Sequence, residues 1–129
     1  MYLVDTNIII DALKAKRSRL EFLQRLSNGG PLAYCSIVVA ELFAGFSSPS
    51  EIKKAQSDLL DAIVYVETSE GAAQLAGTLQ HQYRKRGLTL ATADALIAAT
   101  AITENHTLVT DNLKHFPMPE LNILKAPEL

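Results

Sequence analysis

Four acidic residues stand apart from the ordinary surface charges of this chain: Asp5, Glu41, Asp94 and Asp111. Asp5 follows Tyr2-Leu3-Val4 and Asp111 follows Thr107-Leu108-Val109-Thr110, so each falls where a short apolar strand would stop. Glu41 is the one ionisable residue between Ile37 and Phe46, and Asp94 opens an alanine-rich apolar stretch. In open α/β sheets, ligands collect beyond the carboxyl ends of the strands, where loops expose polar groups. If the first and fourth strands are neighbours, Asp5 and Asp111 meet there, and two helices need only bring Glu41 and Asp94 to the rim.

Carboxylates that share a cleft raise one another's pKa, and a hard divalent cation relieves the repulsion. Mg²⁺ or Mn²⁺ suits such an all-oxygen site, with water filling the remaining positions. A cation of this kind, or a pair about 4 Å apart, polarises a phosphodiester and generates hydroxide for in-line attack. The chemistry to expect is cleavage of a nucleic-acid strand. Thr6, Asn7, Thr110 and Asn112 flank two of the acids and are placed to orient them or a water. Each acid also has an ordinary reading: a strand-terminal Asp caps helices and forms turns, and a buried helix commonly keeps one wet stripe for a residue such as Glu41.

The elements that must position these residues are legible in order. After the opening strand, Asn7 to Lys14 reads as a short helix, and Leu20, Phe22, Leu23 and Leu26 stripe a second one that stops at Asn28-Gly29-Gly30-Pro31. Leu32 to Cys35 is a second strand, and Ser36 is a candidate cap for a helix from Ile37 to Phe46. That helix is apolar on nearly every side, so Leu42, Phe43 and Phe46 either fill the core or meet a partner. Ser48-Pro49-Ser50-Glu51 has the pattern of a capping box for a helix to about Asp61. Ala62 to Val66 follows as a third strand, and Thr68 or Ser69 caps a long helix to about Arg86, closed by Gly87. Leu90 to Glu104 is the next helix with Thr92 as a cap, Thr107 to Val109 a fourth strand and Leu121 to Leu124 a fifth. This alternation implies a mostly parallel sheet covered on both faces.

A chain of 129 residues suits one domain spanning 1–129, and its 48% hydrophobic and 20% charged residues are the balance of a globular protein. The lone Cys35 can form no internal disulfide and reads as a small buried hydrophobe. No basic-then-apolar leader is visible and no apolar run reaches the roughly 20 residues of a membrane helix, so a cytoplasmic protein is expected. A net charge of −2 is the wrong sign for holding nucleic acid by global charge. A role on nucleic acid would need local basic patches, for which Lys14 to Arg19 and Arg84-Lys85-Arg86 are candidates if they flank the cleft, or a bound cation. Otherwise they are solvated helix ends. His81, His106 and His115 lack metal-ligand spacing, and no nucleophile elbow or phosphate-binding glycine loop occurs.

Asp5-Thr6-Asn7 after the first strand, Val39-Ala40-Glu41-Leu42, Ala93-Asp94-Ala95-Leu96-Ile97-Ala98-Ala99-Thr100-Ala101, and Leu108-Val109-Thr110-Asp111-Asn112 with Phe116 behind it resemble the PIN domain. Within that family the chain is similar to the VapC toxins of type II toxin-antitoxin systems. The likeness runs nearly end to end, with four separated motifs in the right order. It implies a three-layer α/β/α fold with sheet order 3-2-1-4-5, and a Mg²⁺- or Mn²⁺-dependent endoribonuclease. By resemblance Asp5 and Asp94 match direct metal ligands, Glu41 the third acid and Asp111 the fourth, a position Asn112 could share; Thr110 matches a supporting hydroxyl. It also implies a homodimer, and a small antitoxin whose C-terminal segment occupies the groove. An RNA-maturation nuclease would use the same chemistry. Two rival classes are a phospho-acceptor receiver module, for which the residues at hand are Asp5-Thr6 and Glu67, and an RNA-binding module without catalysis.

Overall fold

The computed structural model describes residues 1–129. Its strands are β1 (Tyr2–Val4), β2 (Leu32–Cys35), β3 (Val64–Val66), β4 (Thr107–Thr110) and β5 (Ile123–Lys125). Its helices are α1 (Thr6–Leu13), α2 (Arg17–Ser27), α3 (Ser36–Gly45), α4 (Pro49–Asp58), α5 (Glu70–Arg84) and α6 (Thr92–Thr103). All four strand pairings are parallel, in the order β3-β2-β1-β4-β5. The chain winds outward from β1 in one direction, then restarts on its other side at β4. That reversal leaves a crevice at the carboxyl ends of β1 and β4.

The register there matters for the site. Leu3 pairs with Leu108 and Val4 with Val109, and Asp5 N–H donates to Val109 O at 2.9 Å. Leu3, Val4, Leu108 and Val109 are wholly buried, as continuous apolar runs in a sheet covered on both faces should be. Helix α6 lies against α5, and both bury small residues: Ala95, Ala98, Ala99 and Ala101 on α6, and Ala72 and Ala76 on α5. Thr100 is buried among them because its hydroxyl donates to Leu96 O (2.8 Å) and meets the Thr68 hydroxyl (3.0 Å). No helix is long and apolar enough to cross a membrane.

Several expected helix ends shift for local reasons. Ser36 does not cap α3; its hydroxyl accepts from Thr68 N–H (3.1 Å) and meets the Tyr65 hydroxyl (2.9 Å), tying the helix start to β3. Ser48 does cap α4 by accepting from Glu51 N–H, but the Glu51 carboxylate answers at Ser47 N–H, one residue before the box position. Helix α4 stops at Asp58, and a tight turn over Leu60–Ala62 carries the chain into β3. Ser69 rather than Thr68 caps α5, accepting from Ala72 N–H. Thr92 caps nothing, because its hydroxyl accepts from Gln80 Nε2 at 3.1 Å. Gly87, at φ +81°, turns the chain out of α5.

His106, at the start of the run into β4, is buried with Nδ1 lacking a partner, and burial holds its pKa below the usual 6.5, aided by the nearby N-terminal charge. Below pH 6.5 the unfolded chain therefore takes up a proton that the native state refuses, so stability is present above 6.5 and is lost as pH falls through the depressed native value. In urea unfolding, His106→Leu should lose less stability, or gain more, than the wild type between pH 7 and 5.5, because the His106 contribution is then absent.

Candidate functional site

Asp5 sits in the one-residue gap between β1 and α1, with 7% of its surface exposed. Both of its oxygens are held: Thr6 N–H donates to Oδ1 and the Thr110 hydroxyl to Oδ2, each at 2.8 Å. Thr110 is the last residue of β4, so the second bond exists only because β4 lies beside β1. The Thr110 oxygen also accepts from Asn112 N–H (3.1 Å), which closes the turn carrying Asp111.

Two further acids face Asp5. Glu41, in the middle of α3, is exposed at the cleft, and its Oε1 accepts from the Thr6 hydroxyl at 2.7 Å. Asp94, in the first turn of α6, is half-buried, and its Oδ2 lies 3.2 Å from His115 Nδ1. The Asn112 amide lies 3.0 Å from the same ring nitrogen. Burial raises the pKa of Asp5 above the usual carboxylate value, against the pull of the Thr110 and Thr6 hydrogen bonds, and the charges of Asp94 and Glu41 raise it further. Asp94 is raised in the same way, by burial and by Glu41, with His115 opposing. Three acids thus repel one another in a partly desolvated cleft, the electrostatic signature of a site and not of a structural ion pair.

The fourth acid is elsewhere. Asp111 turns to Arg19, whose Nη2 lies 2.9 Å from its Oδ2. Arg19 is 1% exposed, and the rest of its guanidinium is used by Asp11 (Nε to Oδ2, 3.4 Å) and by Pro127 O (Nη1, 2.7 Å). The basic group from Lys14 to Arg19 is therefore not simply solvated: Arg19 is a buried counter-ion, and Lys16 pairs with Asp11 at 2.9 Å. Sequence reading could not single out Arg19, because a basic residue on an amphipathic helix is ordinarily exposed. His115 was likewise missed; it comes to Asp94 only through the turn after β4. Asn7 is exposed on the first turn of α1, without a side-chain hydrogen bond to the acids.

The donor set is all oxygen and suits a hard cation. No three His, Cys, Asp or Glu side chains close on a common point. A cation here would be bound directly by one or two carboxylates and through water to the rest, which is how Mg²⁺ is usually held. The residues present fit such an ion.

On the Glu41 flank a groove of about 320 Å³ runs between α1, α3 and α4, with Ile10, Leu13, Leu42 and Phe46 on its walls. The apolar face of α3 is divided: Val38 and Leu42 are in the core, while Phe43 is 37% exposed and packs edge-on against Phe46 at 5.1 Å.

The PIN domain family model matches residues 2–117, nearly the whole chain. This protein belongs to the PIN-domain family. Among curated PIN relatives, Ribonuclease VapC19 of Mycobacterium tuberculosis is 36% identical over 123 residues, covering 94% of this chain and 97% of its own. Ribonuclease VapC2 of Rickettsia felis is 36% identical over 120 residues, with 90% of each chain covered. Among solved structures, VapBC2 from Rickettsia felis, bound to a DNA fragment from its promoter, superposes with a TM-score of 0.85 at 32% identity over 98% of both chains. VapBC-1 from nontypeable Haemophilus influenzae gives 0.80 at 26% identity, with 96% of both covered. The fold expected from the sequence, sheet order included, is the PIN fold found here.

Because Asp5 and Asp94 are raised, the native state keeps their protons longer than the unfolded chain does. Metal-free stability therefore falls as pH climbs from 3.8 through the raised values, and at neutral pH the charged cluster is a standing cost. Asp94→Asn should hold or raise the melting temperature of the metal-free PIN domain at pH 7. Arg19→Ala should lower stability by about 3 kcal/mol in urea unfolding, since it leaves Asp111 and the Pro127 carbonyl without this donor and Asp11 with Lys16 alone. Arg19→Lys should recover little of that loss, an ammonium being unable to span three partners in the guanidinium plane.

Proposed function

We propose that this protein is a metal-dependent endoribonuclease and the toxin of a VapBC-type toxin-antitoxin pair, its 129 residues forming one PIN domain that works in the cytoplasm. The observation that carries the reading is the convergence of Asp5, Glu41 and Asp94 at the carboxyl end of β1, with Thr6, Thr110 and His115 holding them. The relatives' names and the VapBC complexes among the solved neighbours support the RNA substrate and the antitoxin partner.

In this reading Asp5 and Asp94 hold Mg²⁺ or Mn²⁺ directly, with Glu41 as the third acid. A divalent cation bound there neutralises charge on the phosphodiester and lowers the barrier to attack by water. Asp5 is aimed by the Thr6 N–H and the Thr110 hydroxyl, whose donation favours its charged form against the opposing effect of burial. The Thr6 hydroxyl fixes the Glu41 carboxylate, and Asn112 with His115 orients Asp94. Asp111 anchors the 110–112 turn through Arg19, so its contribution is to keep Thr110 and Asn112 in place. The groove on the Glu41 flank, with Phe46 and Leu42 at its wall, suits the apolar residues of an antitoxin segment that would then lie beside the acids. A homodimer fits the same family reading.

Purified protein should cut a total RNA preparation into discrete fragments with Mg²⁺ or Mn²⁺, and EDTA should abolish cutting. Asp5→Asn and Asp94→Asn should each lower the rate by at least about 100-fold while circular dichroism and melting remain those of a folded protein. Undiminished cutting by either variant would overturn the assignment. Thr110→Val, which removes a hydroxyl that supports Asp5 without removing a ligand, should cost about 10- to 100-fold, measured as kcat/KM on the same RNA.

A further inference from the structure

The acid cluster has two flanks, and their chemistry differs. The groove beside Glu41 carries Glu51 and Asp58 as well, against Lys14 and Lys54, a balance that repels a polyanion. Beside Asp94 lies a second cleft of about 200 Å³, between the segment after Gly87 and the turn after β4. Its walls are Leu88, Leu90, Thr89 and Pro117, and its mouth carries Lys114 and His115. Asp94 is the one acid in it. Pockets that enclose drug-sized ligands run from roughly 300 Å³ upward, so this one has room for a single planar heterocycle.

The cleft is held open by bonds that no other part of the site requires. Gln80 Nε2 donates to Leu90 O (3.0 Å) and to the Thr92 hydroxyl (3.1 Å), fixing one wall. The Tyr83 hydroxyl donates to Pro117 O (3.1 Å), fixing the other. Arg86 lies over the Tyr83 ring, 5.0 Å from its centroid, behind the same wall, and Arg84 and Lys85 precede it, both exposed. Leu88 is left 49% exposed at the entrance, an apolar side chain with nothing packed over it. Single-stranded RNA is recognised by bases splayed out against flat or apolar surfaces, with cations along the phosphates. An exposed leucine, a proline and an imidazole beside Lys114, with Arg86 on the Tyr83 ring behind one wall, match that requirement.

We propose that this cleft binds one unstacked nucleobase of the RNA next to the bond that is cut, with Lys114 and the Arg84–Arg86 run on the neighbouring phosphates. The RNA then leaves the acid cluster over the Asp94 flank and not over the Glu41 flank. The inference rests on the ribonuclease reading above and adds the residues that choose the base. Leu88 and Lys114 are specificity residues that share the cleft with Asp94 but are not among the acids that do the chemistry.

The test is to sequence the new ends produced in total RNA by the wild type, Leu88→Ala, Lys114→Ala and Lys54→Ala, and to measure steady-state kinetics on one cut site. Leu88→Ala should change the base distribution beside the cut by several-fold. Lys114→Ala should raise KM about three- to tenfold with kcat within about twofold, and should flatten the salt dependence of RNA affinity by about 0.7 in log–log slope. An unchanged base distribution and KM in these variants, with wild-type cleavage intact, overturns the proposal. So does a larger rise in KM from Lys54→Ala than from Lys114→Ala. If the wild type cuts nothing, the ribonuclease reading fails first. Anisotropy of labelled oligo(A), oligo(C) and oligo(U) with the Asp5→Asn protein then decides the cleft separately. Weaker or less base-selective binding on adding Leu88→Ala or Lys114→Ala supports it, and unaltered binding overturns it.

Discussion

A carboxylate as buried as Asp5 is costly to keep charged, and the two hydrogen bonds that hold it depend on most of the fold. One donor is the first N–H of α1, available because the helix begins immediately after the strand. The other is the hydroxyl that ends β4, more than a hundred residues away in the chain, delivered by the parallel pairing of Val4 with Val109. A slip of one residue in that pairing would turn Thr110 to the opposite face of the sheet and leave Asp5 without it. The continuous apolar runs of β1 and β4, buried on both faces, are what make such a slip expensive.

Charge is distributed around Asp5 so that repulsion is concentrated and not spread. Arg19 takes Asp11 and Asp111 out of the balance and binds the carbonyl of Pro127, thereby clamping α1, the turn after β4 and the C-terminal segment together. What remains in the cleft is Asp5, Glu41 and Asp94, three acids with one imidazole and two threonine hydroxyls for company. A site of this kind lowers the stability of the free protein and raises its affinity for cations, the usual opposition between stability and function.

The scaffold also explains why the two flanks of the cluster can serve different partners. Each acid sits at the end or in the middle of a regular element, so its position is rigid, whereas the clefts are completed by α4 on one side and by the connections after α5 and β4 on the other. These completing segments can change without moving the acids. That division lets the acid cluster stay fixed while the surfaces on either side of it vary.

The alternation of strands and helices, the burial of Cys35 and the candidacy of Asp5, Glu41 and Asp94 were legible in the chain, because apolar periodicity and interrupted apolar runs are local properties. The chain also places Thr110 beside an acid. Which acid Thr110 serves depends on strand pairing: the hydroxyl goes to Asp5 across the sheet and not to its neighbour Asp111. In the same way Ser36 and Thr92, both plausible caps by type, were claimed by Thr68, Tyr65 and Gln80 from other elements. Arg19 and His115 took roles that nothing in their own segments announced. A side chain's local preference is worth about a kilocalorie per mole, and a partner brought across the fold into a buried place, where an unmade bond costs more, outweighs it.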